Sequence, residues 1–181
     1  MSPRTVLIGG TMALLMTPIA AALGYVAVVA GFQAVFGSTA EETLLLAALL
    51  YFIVLAFMVF VFWATRGLFQ AFDYVTADGP ITMLILLLVF LPPVVWLPWT
   101  WFSVLAIRFG RQVGSRLWQA TGVIYLIAMA MILASAAMLA FGAAPFPLAG
   151  DMIYGAPLAL LLGWVCHGTS MIVGARMTAR I

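Results

Sequence analysis

Charge is what this sequence has least of: charged residues make up 7% of its 181 residues, and lysine does not occur at all. A water-soluble domain carries roughly 25% charged residues, because its surface must be solvated. Hydrophobic residues make up 67% of this chain, and its mean hydropathy is +1.26. Most of the surface must therefore face hydrocarbon, and the sequence predicts one transmembrane domain over residues 1–181 with no soluble domain.

Residues that several kinds of chemistry require are also missing. The single cysteine, Cys166, excludes an internal disulfide and a cysteine-based metal cluster. There is no basic stripe with interleaved aromatic residues, so we expect no nucleic-acid partner. The sequence contains no glycine-rich phosphate loop, no Gly-x-Ser-x-Gly motif and no His-Glu-x-x-His motif. We therefore predict that the protein is not an enzyme and has neither catalytic residues nor a metal site.

Long uncharged stretches separate the few acidic and basic residues. They cover residues 5–40, 43–65, 79–107, 117–150 and 152–175. Each can supply the ~20 residues with which a helix spans a ~30 Å hydrocarbon core. Because that core holds no water, every backbone amide must be paired within its own segment, which makes these stretches helices. The first stretch lacks the short apolar core and cleavage site of a signal peptide and is also read as a span. The predicted fold class is an all-α, polytopic integral membrane protein.

The stretch 79–107 is ambiguous because it contains three prolines within seven residues, Pro92, Pro93 and Pro98. Proline interrupts a helix, so this is either one broken span or a hairpin that enters the bilayer and returns on the same side. Five spans would divide the seven arginines five to two, whereas four spans and a hairpin place all seven on one side. Short cytoplasmic loops collect arginine, which favours four transmembrane helices plus a proline-broken intramembrane segment over five spans. The same rule predicts a cytoplasmic C-terminus in a bacterial inner membrane.

Small residues at close helical spacing mark two candidate helix-packing faces. Such residues let a second helix approach closely, although alanine and glycine are also simply common in this chain. The predicted packing residues are Ala20, Gly24, Ala27 and Gly31 in the first stretch and Ala130 and Ala134 in the fourth.

Aromatic residues predict which surfaces meet lipid. The stretch 43–65 is rich in bulky side chains and poor in small ones, which predicts a lipid-facing helix ending at about Thr65. Its bulky residues are Phe52, Phe57, Phe60, Phe62 and Trp63. Tryptophan is enriched at membrane interfaces, so Trp96, Trp99 and Trp101 are predicted interface anchors. Residues 66–79 are read either as a short amphipathic helix in the interface or as a connecting loop.

His167 is the only histidine in the chain and lies well inside a predicted span. Three interpretations are open: a neutral imidazole bonded to a carbonyl or hydroxyl of a neighbouring helix, a contact with a quinone or partner subunit, or a haem or metal ligand. A bis-histidine haem would need a second histidine from elsewhere. All acidic and basic side chains lie outside the predicted spans or at their ends, which argues against a self-contained pump or ion-coupled carrier.

These observations predict a non-catalytic membrane subunit that anchors or scaffolds a larger inner-membrane complex for transport, secretion or respiration. Its partners would be other membrane-protein subunits and membrane lipids, and no cofactor is expected. Two alternatives belong to other functional classes. One is a homo-oligomeric channel or carrier for a neutral or hydrophobic solute, lined by Gln33, by serine and threonine hydroxyls and by the broken segment 92–98. The other is a quinone- or haem-associated redox anchor that uses His167.

Overall fold

Helices form nearly all of the chain that the computed structural model describes, which is residues 2–35, 41–90, 96–141 and 146–178. The helices described there are α1 (Pro3–Val35), α2 (Glu41–Ala71), α3 (Asp78–Phe90), α4 (Trp96–Gln112), α5 (Arg116–Phe141) and α6 (Phe146–Thr178), with a short 3-10 helix at Val75–Ala77. Four of them contain segments long and apolar enough to cross a membrane, namely Pro3–Ala22, Tyr51–Ala71, Arg116–Ser135 and Gly155–Thr178. The predicted fold class is confirmed.

Local chemistry sets the helix ends. At the start of α1, the side-chain oxygen of Ser2 accepts a hydrogen bond from the Thr5 N–H (3.3 Å), and Pro3 takes the first helical position.

The prediction that the second helix ends at about Thr65 is wrong, because Arg66 is paired with Asp78 and stays helical. Residues 66–79 are accordingly neither a separate interface helix nor a simple loop. They comprise the end of α2, a turn, the 3-10 helix and the start of α3.

The proline-containing stretch forms a hairpin rather than a span. α3 has 13 residues and is about 20 Å long, too short to cross a ~30 Å core. It begins at Asp78, which is bonded to Arg66 near the end of α2. α4 returns to that same end, since the ring of Phe109 lies 4.2 Å from the ring of Phe69 on α2. Both outer ends of the hairpin therefore lie at one end of the bundle.

Of the three prolines within seven residues, the structure describes Pro98. Pro92 and Pro93 fall in residues 91–95, which lie outside the described residues. Pro98 is buried in the first turn of α4. A proline costs little there, because the backbone amides of a first turn have no partner within the helix.

This topology gathers the arginines at one end of the bundle, called here the arginine end. Both α1 and α5 start there, and α2, α4 and α6 finish there. The arginines that the structure describes at this end are Arg4, Arg66, Arg108, Arg111, Arg116 and Arg176. Arg180 lies outside the described residues. The arrangement agrees with the hairpin interpretation of the arginine pattern.

The helices form a closed ring around an aromatic centre. Each helix packs against its neighbours along the chain, and α6 packs against α1 to close the ring. Phe62 of α2 is fully buried at the centre. Its ring lies 5.4 Å from Trp99 and 5.1 Å from Phe102, both of α4, and 6.0 Å from Trp164 of α6.

Two predictions about lipid-facing residues are wrong. Phe62 was expected to face lipid and Trp99 to anchor at the interface, but both belong to the core. The reason is the hairpin: α4 packs beside the inner face of α2 and inserts Trp99 into the bundle. Other members of these sets are exposed, including Phe52, Trp63 and Trp101.

Glycine allows two helix pairs to approach to backbone contact. α1 and α6 meet at Gly10 and Gly168, where a Cβ on Gly168 would lie 2.8 Å from the Gly10 carbonyl oxygen. α4 and α5 meet at Gly122, where a Cβ would collide with the carbonyl oxygen of Ser103. Close packing of these two helix pairs thus depends on Gly10, Gly168 and Gly122.

Candidate functional site

His167 sits at the centre of the bundle on the inner face of α6. Its side chain is fully buried. Its Nε2 lies 2.8 Å from the hydroxyl oxygen of Thr65 on α2, and its Nδ1 lies 3.3 Å from the hydroxyl oxygen of Tyr125 on α5. One imidazole therefore connects three membrane-spanning helices through hydrogen bonds.

The hydrogen-bond partners of Thr65 and Tyr125 determine which nitrogen of His167 carries the proton. The Thr65 hydroxyl donates to the Val61 carbonyl oxygen at 2.8 Å, so its oxygen is left to accept from the imidazole. His167 is then a neutral imidazole protonated on Nε2, and the Tyr125 hydroxyl donates to Nδ1. This assignment pairs both ring nitrogens and both hydroxyls, as a low-dielectric interior requires.

Aromatic rings close the space around this imidazole. Five rings have centroids between 5.4 and 6.1 Å from the centroid of His167. They belong to Phe62, Phe102, Trp118, Tyr125 and Trp164. A second polar pair lies nearby, where the hydroxyl oxygens of Thr121 and Ser170 are 3.2 Å apart. The site is a closed polar centre within an aromatic shell.

Three indoles in this shell or next to it carry unused donors. The indole N–H groups of Trp99, Trp118 and Trp164 are buried and have no hydrogen-bond acceptor among the described residues. A buried N–H without an acceptor is costly, so each of these groups would gain from an oxygen brought in by water or by a ligand.

The geometry bears differently on the three interpretations of His167. It matches the neutral imidazole bonded to hydroxyls of neighbouring helices. A haem or metal ligand would have to give up the bond to Thr65 or to Tyr125 and part the aromatic shell. The described residues also contain no cluster of three histidine, cysteine or acidic side chains that could hold a metal ion. The contact with a quinone or a partner subunit stays a prediction.

Sequence reasoning missed the partners of His167. Thr65 lies 102 positions from the histidine and Tyr125 lies 42 positions from it. Threonine and tyrosine are ordinary residues in membrane helices, and only the packing register of α2, α5 and α6 brings these two to the imidazole. No motif in the sequence indicates that Thr65 and Tyr125 contact His167.

The predicted packing residues occupy varied positions. Ala20 is half-buried, while the side chains of Gly24, Ala27, Gly31 and Gln33 lie outside those described. Ala130 is exposed and Ala134 is half-buried on α5. Because exposed residues pack against nothing within this chain, a packing role for Ala130 would concern another helix and stays a prediction.

A second polar cluster lies at the arginine end. Asp78 receives hydrogen bonds from Arg66 Nε and Nη2 at 3.1 and 3.0 Å and from the amide nitrogen of Gln70 at 2.9 Å. The Arg66 hydrogen bonds hold the pKa of the Asp78 carboxyl below its usual value. This cluster fixes the start of the hairpin against the end of α2.

Replacing Tyr125 with phenylalanine tests the hydrogen-bonded centre. The change leaves Nδ1 of His167 without a donor, and we expect the free energy of unfolding to fall by about 1 kcal/mol. Replacing His167 with phenylalanine as well should cost less than the sum of the two single changes, because the bond is lost only once. Reversible unfolding in mixed detergent micelles measures all three variants. Strict additivity would contradict the bond.

The four membrane-crossing segments and the buried polar centre define this chain as a multi-pass α-helical membrane protein. No protein-family model matches it, and neither the curated proteins nor the solved structures contain a significant match.

Proposed function

We propose that this protein is a non-catalytic subunit that anchors or scaffolds a larger complex in a bacterial inner membrane through helix–helix packing. Its C-terminus would lie in the cytoplasm, together with the arginine end, because cytoplasmic loops collect arginine. The polar centre around His167 would serve to hold α2, α5 and α6 in register.

The observation that carries this proposal is a stripe of exposed apolar side chains on the outside of α5 that ends in alanines. Val123 and Ile127 are 45% and 52% exposed, and Ala130 and Ala137 are also exposed, with Ala134 half-buried between them. These residues follow each other at steps of three and four, so they share one face of the helix. We call this face the outer stripe of α5, and small residues there would admit a second helix to close contact.

The inner face of α5 is already occupied, which leaves the outer stripe for a partner. Trp118, Tyr125 and Ala128 are buried against the neighbouring helices of this chain. A lipid tail gains little from facing alanine rather than leucine, whereas a packed helix gains van der Waals contact along its length. The stripe is therefore better suited to a protein partner than to lipid alone.

Substituting Ala130 with tryptophan tests the proposal. A tagged full-length protein is extracted in mild detergent, and the membrane proteins that co-purify in fixed ratio are quantified. The wild-type protein should retain such partners, while the bulky side chain should separate the helices and reduce their recovery at least tenfold. The matched control is Ala56→Trp, because Ala56 is exposed on α2 away from the outer stripe.

Three results would count against the subunit role. One is a wild-type protein that purifies as a monodisperse monomer with an activity of its own. Another is unchanged partner recovery in the Ala130 variant. The third is equal loss in both variants, which would indicate that bulk on any exposed face disturbs the protein.

A quinone-associated role is the second candidate, because unused donors surround His167. The indole N–H groups of Trp99, Trp118 and Trp164 could donate to the carbonyl oxygens of such a molecule. Solvent extraction of the purified protein, followed by absorption spectroscopy, would detect a bound quinone. A quinone retained by the wild-type protein and lost in His167→Ala would favour this role over simple packing.

A further inference from the structure

We propose that the groove between α1 and α2 at the arginine end binds the phosphate group of an anionic phospholipid. The groove has a volume of about 460 Å³. Its lining consists of Ser2, Thr5, Trp63, Arg66, Gly67 and Gln70. This site is separate from the centre around His167 and from the outer stripe of α5.

The groove brings together hydrogen-bond donors from the start of α1 and from α2. The hydroxyls of Ser2 and Thr5 lie 2.9 Å apart at the start of α1, where the helix dipole favours negative charge. Arg66 faces them from α2. Its Nε and Nη2 donate hydrogen bonds to the carboxylate of Asp78, and this bidentate bond fixes the guanidinium plane. Its Nη1 donates to none of the described residues. A phosphate oxygen that reaches Nη1 could also accept from a hydroxyl of α1.

The local charge balance favours an anion. Asp78 pairs with Arg66 but does not line the groove, and its carboxylate oxygens are already occupied by donors from Arg66 and Gln70. Arg66 is the charged side chain among the residues that line the groove, and no acidic side chain is among them. The lining is therefore net positive and rich in donors, which suits a phosphate group.

The position in the fold points to a lipid rather than a soluble phosphate compound. Trp63 and Arg66 belong to the membrane-crossing segment Tyr51–Ala71, near its end. Trp63 is 48% exposed and lies about one helical turn deeper than Arg66. Tryptophan side chains are enriched at this depth, at the boundary between headgroups and acyl chains. A phospholipid could place its phosphate beside Arg66 and run an acyl chain along Trp63.

Native mass spectrometry of the full-length, delipidated protein tests the proposal. Phosphatidylglycerol and phosphatidylcholine with identical acyl chains are titrated separately, and inorganic phosphate is titrated as a third probe. We expect phosphatidylglycerol to bind at least tenfold more tightly than phosphatidylcholine. Inorganic phosphate should not displace it at millimolar concentration, because the acyl chains contribute to binding. Equal binding of the two lipids, or ready displacement by phosphate, would overturn the assignment.

Substitutions test whether the lipid binds in the groove or is attracted only by the overall positive charge of the arginine end. Arg66→Gln should weaken phosphatidylglycerol binding about tenfold, the loss expected for one charge-assisted hydrogen bond. The matched control is Arg108→Gln, which removes the same charge from an exposed position on α4 at the same end. Equal weakening by both substitutions would show that only the general positive charge attracts the lipid, and would overturn the groove.

A third variant tests whether Asp78 competes with the lipid for Arg66. Asp78→Asn keeps the size of the side chain but removes the negative charge that competes for Arg66. If the groove binds an anion, this variant should bind phosphatidylglycerol several-fold more tightly than the wild-type protein. If Arg66 serves only to hold the hairpin, the variant should bind the lipid no better, and that result would contradict the proposal.

Discussion

Replacing Phe62 with alanine should lower the free energy of unfolding by about 3 kcal/mol. Phe62 is fully buried and touches aromatic rings from α4 and α6. In a bilayer the lipid tails are as apolar as the core, so the loss comes mainly from van der Waals contacts and the cavity left behind. Reversible unfolding in mixed detergent micelles measures the change.

Phe52 provides the matched control on the same helix. It is 66% exposed on the outer surface of the helix. Phe52→Ala removes the same atoms but opens no cavity, so its cost should remain below about 1 kcal/mol. Similar losses in the two variants would mean that Phe62 is not at the centre of the bundle.

Gly168→Val should have a comparable effect for the opposite reason, since it adds atoms where there is no room. The first added atom would lie 2.8 Å from the Gly10 carbonyl oxygen and 3.0 Å from the Cβ of Ala13. A backbone carbonyl in a helix cannot move aside, so α1 and α6 must separate. We expect a loss of about 3 kcal/mol in the free energy of unfolding, at the upper end of overpacking effects.

Gly79→Val is the control for the glycine prediction. Gly79 lies in the first turn of α3, and a Cβ there would meet nothing within 4 Å. Valine is the better helix former, but the ring of Pro80 disfavours a side chain at the helical position before it, so this variant should change the free energy of unfolding by less than about 1 kcal/mol. A Gly79 variant destabilised as much as the Gly168 variant, or a Gly168 variant that unfolds like the wild-type protein, would contradict the helix packing described here.

The membrane-crossing fold could be predicted from the sequence because charge is excluded from hydrocarbon. The stretches free of charge coincide with the long helices, and the one-sided distribution of arginine distinguishes a hairpin from a fifth span. Both inferences depend on the free energy of placing a charged residue in hydrocarbon, which is several kcal/mol per residue. The positions of charged residues can be read directly from the sequence. The helix ends were less accurate: Arg66 suggested an end to the second helix, whereas its partner Asp78 allows α2 to continue to Ala71.

Which face of each helix is buried could not be predicted in the same way. Hydrophobic side chains suit both lipid and core, so composition could not separate Phe62, which is buried, from Phe52, which is exposed. The partners of His167 depend on the relative rotation of three helices, and no local pattern records that rotation. Only contacts that join distant parts of the chain, such as Thr65 with His167, determine it.

The position of the hairpin links the fold to both proposals. It fills the space between α2 and α5 and presses Trp99 into the centre beside Tyr125, where their rings lie 5.5 Å apart. The outer stripe of α5 faces away from this packed centre. The groove at the arginine end includes Arg66, which pairs with Asp78, the first residue of α3. A different path for α3 and α4 would therefore change the core, the stripe and the groove together.

Cysteine labelling of the two ends of the hairpin tests its path most directly. In a Cys166→Ser background, single cysteines at Gly79 and at Gln112, both exposed, are treated with a membrane-impermeant maleimide in sealed vesicles of known orientation. A cysteine at the exposed Ser2 marks the arginine end. The hairpin requires all three positions to react from the same side of the membrane. Reaction of positions 79 and 112 from opposite sides would mean that the chain crosses the bilayer between them, and the hairpin would be wrong.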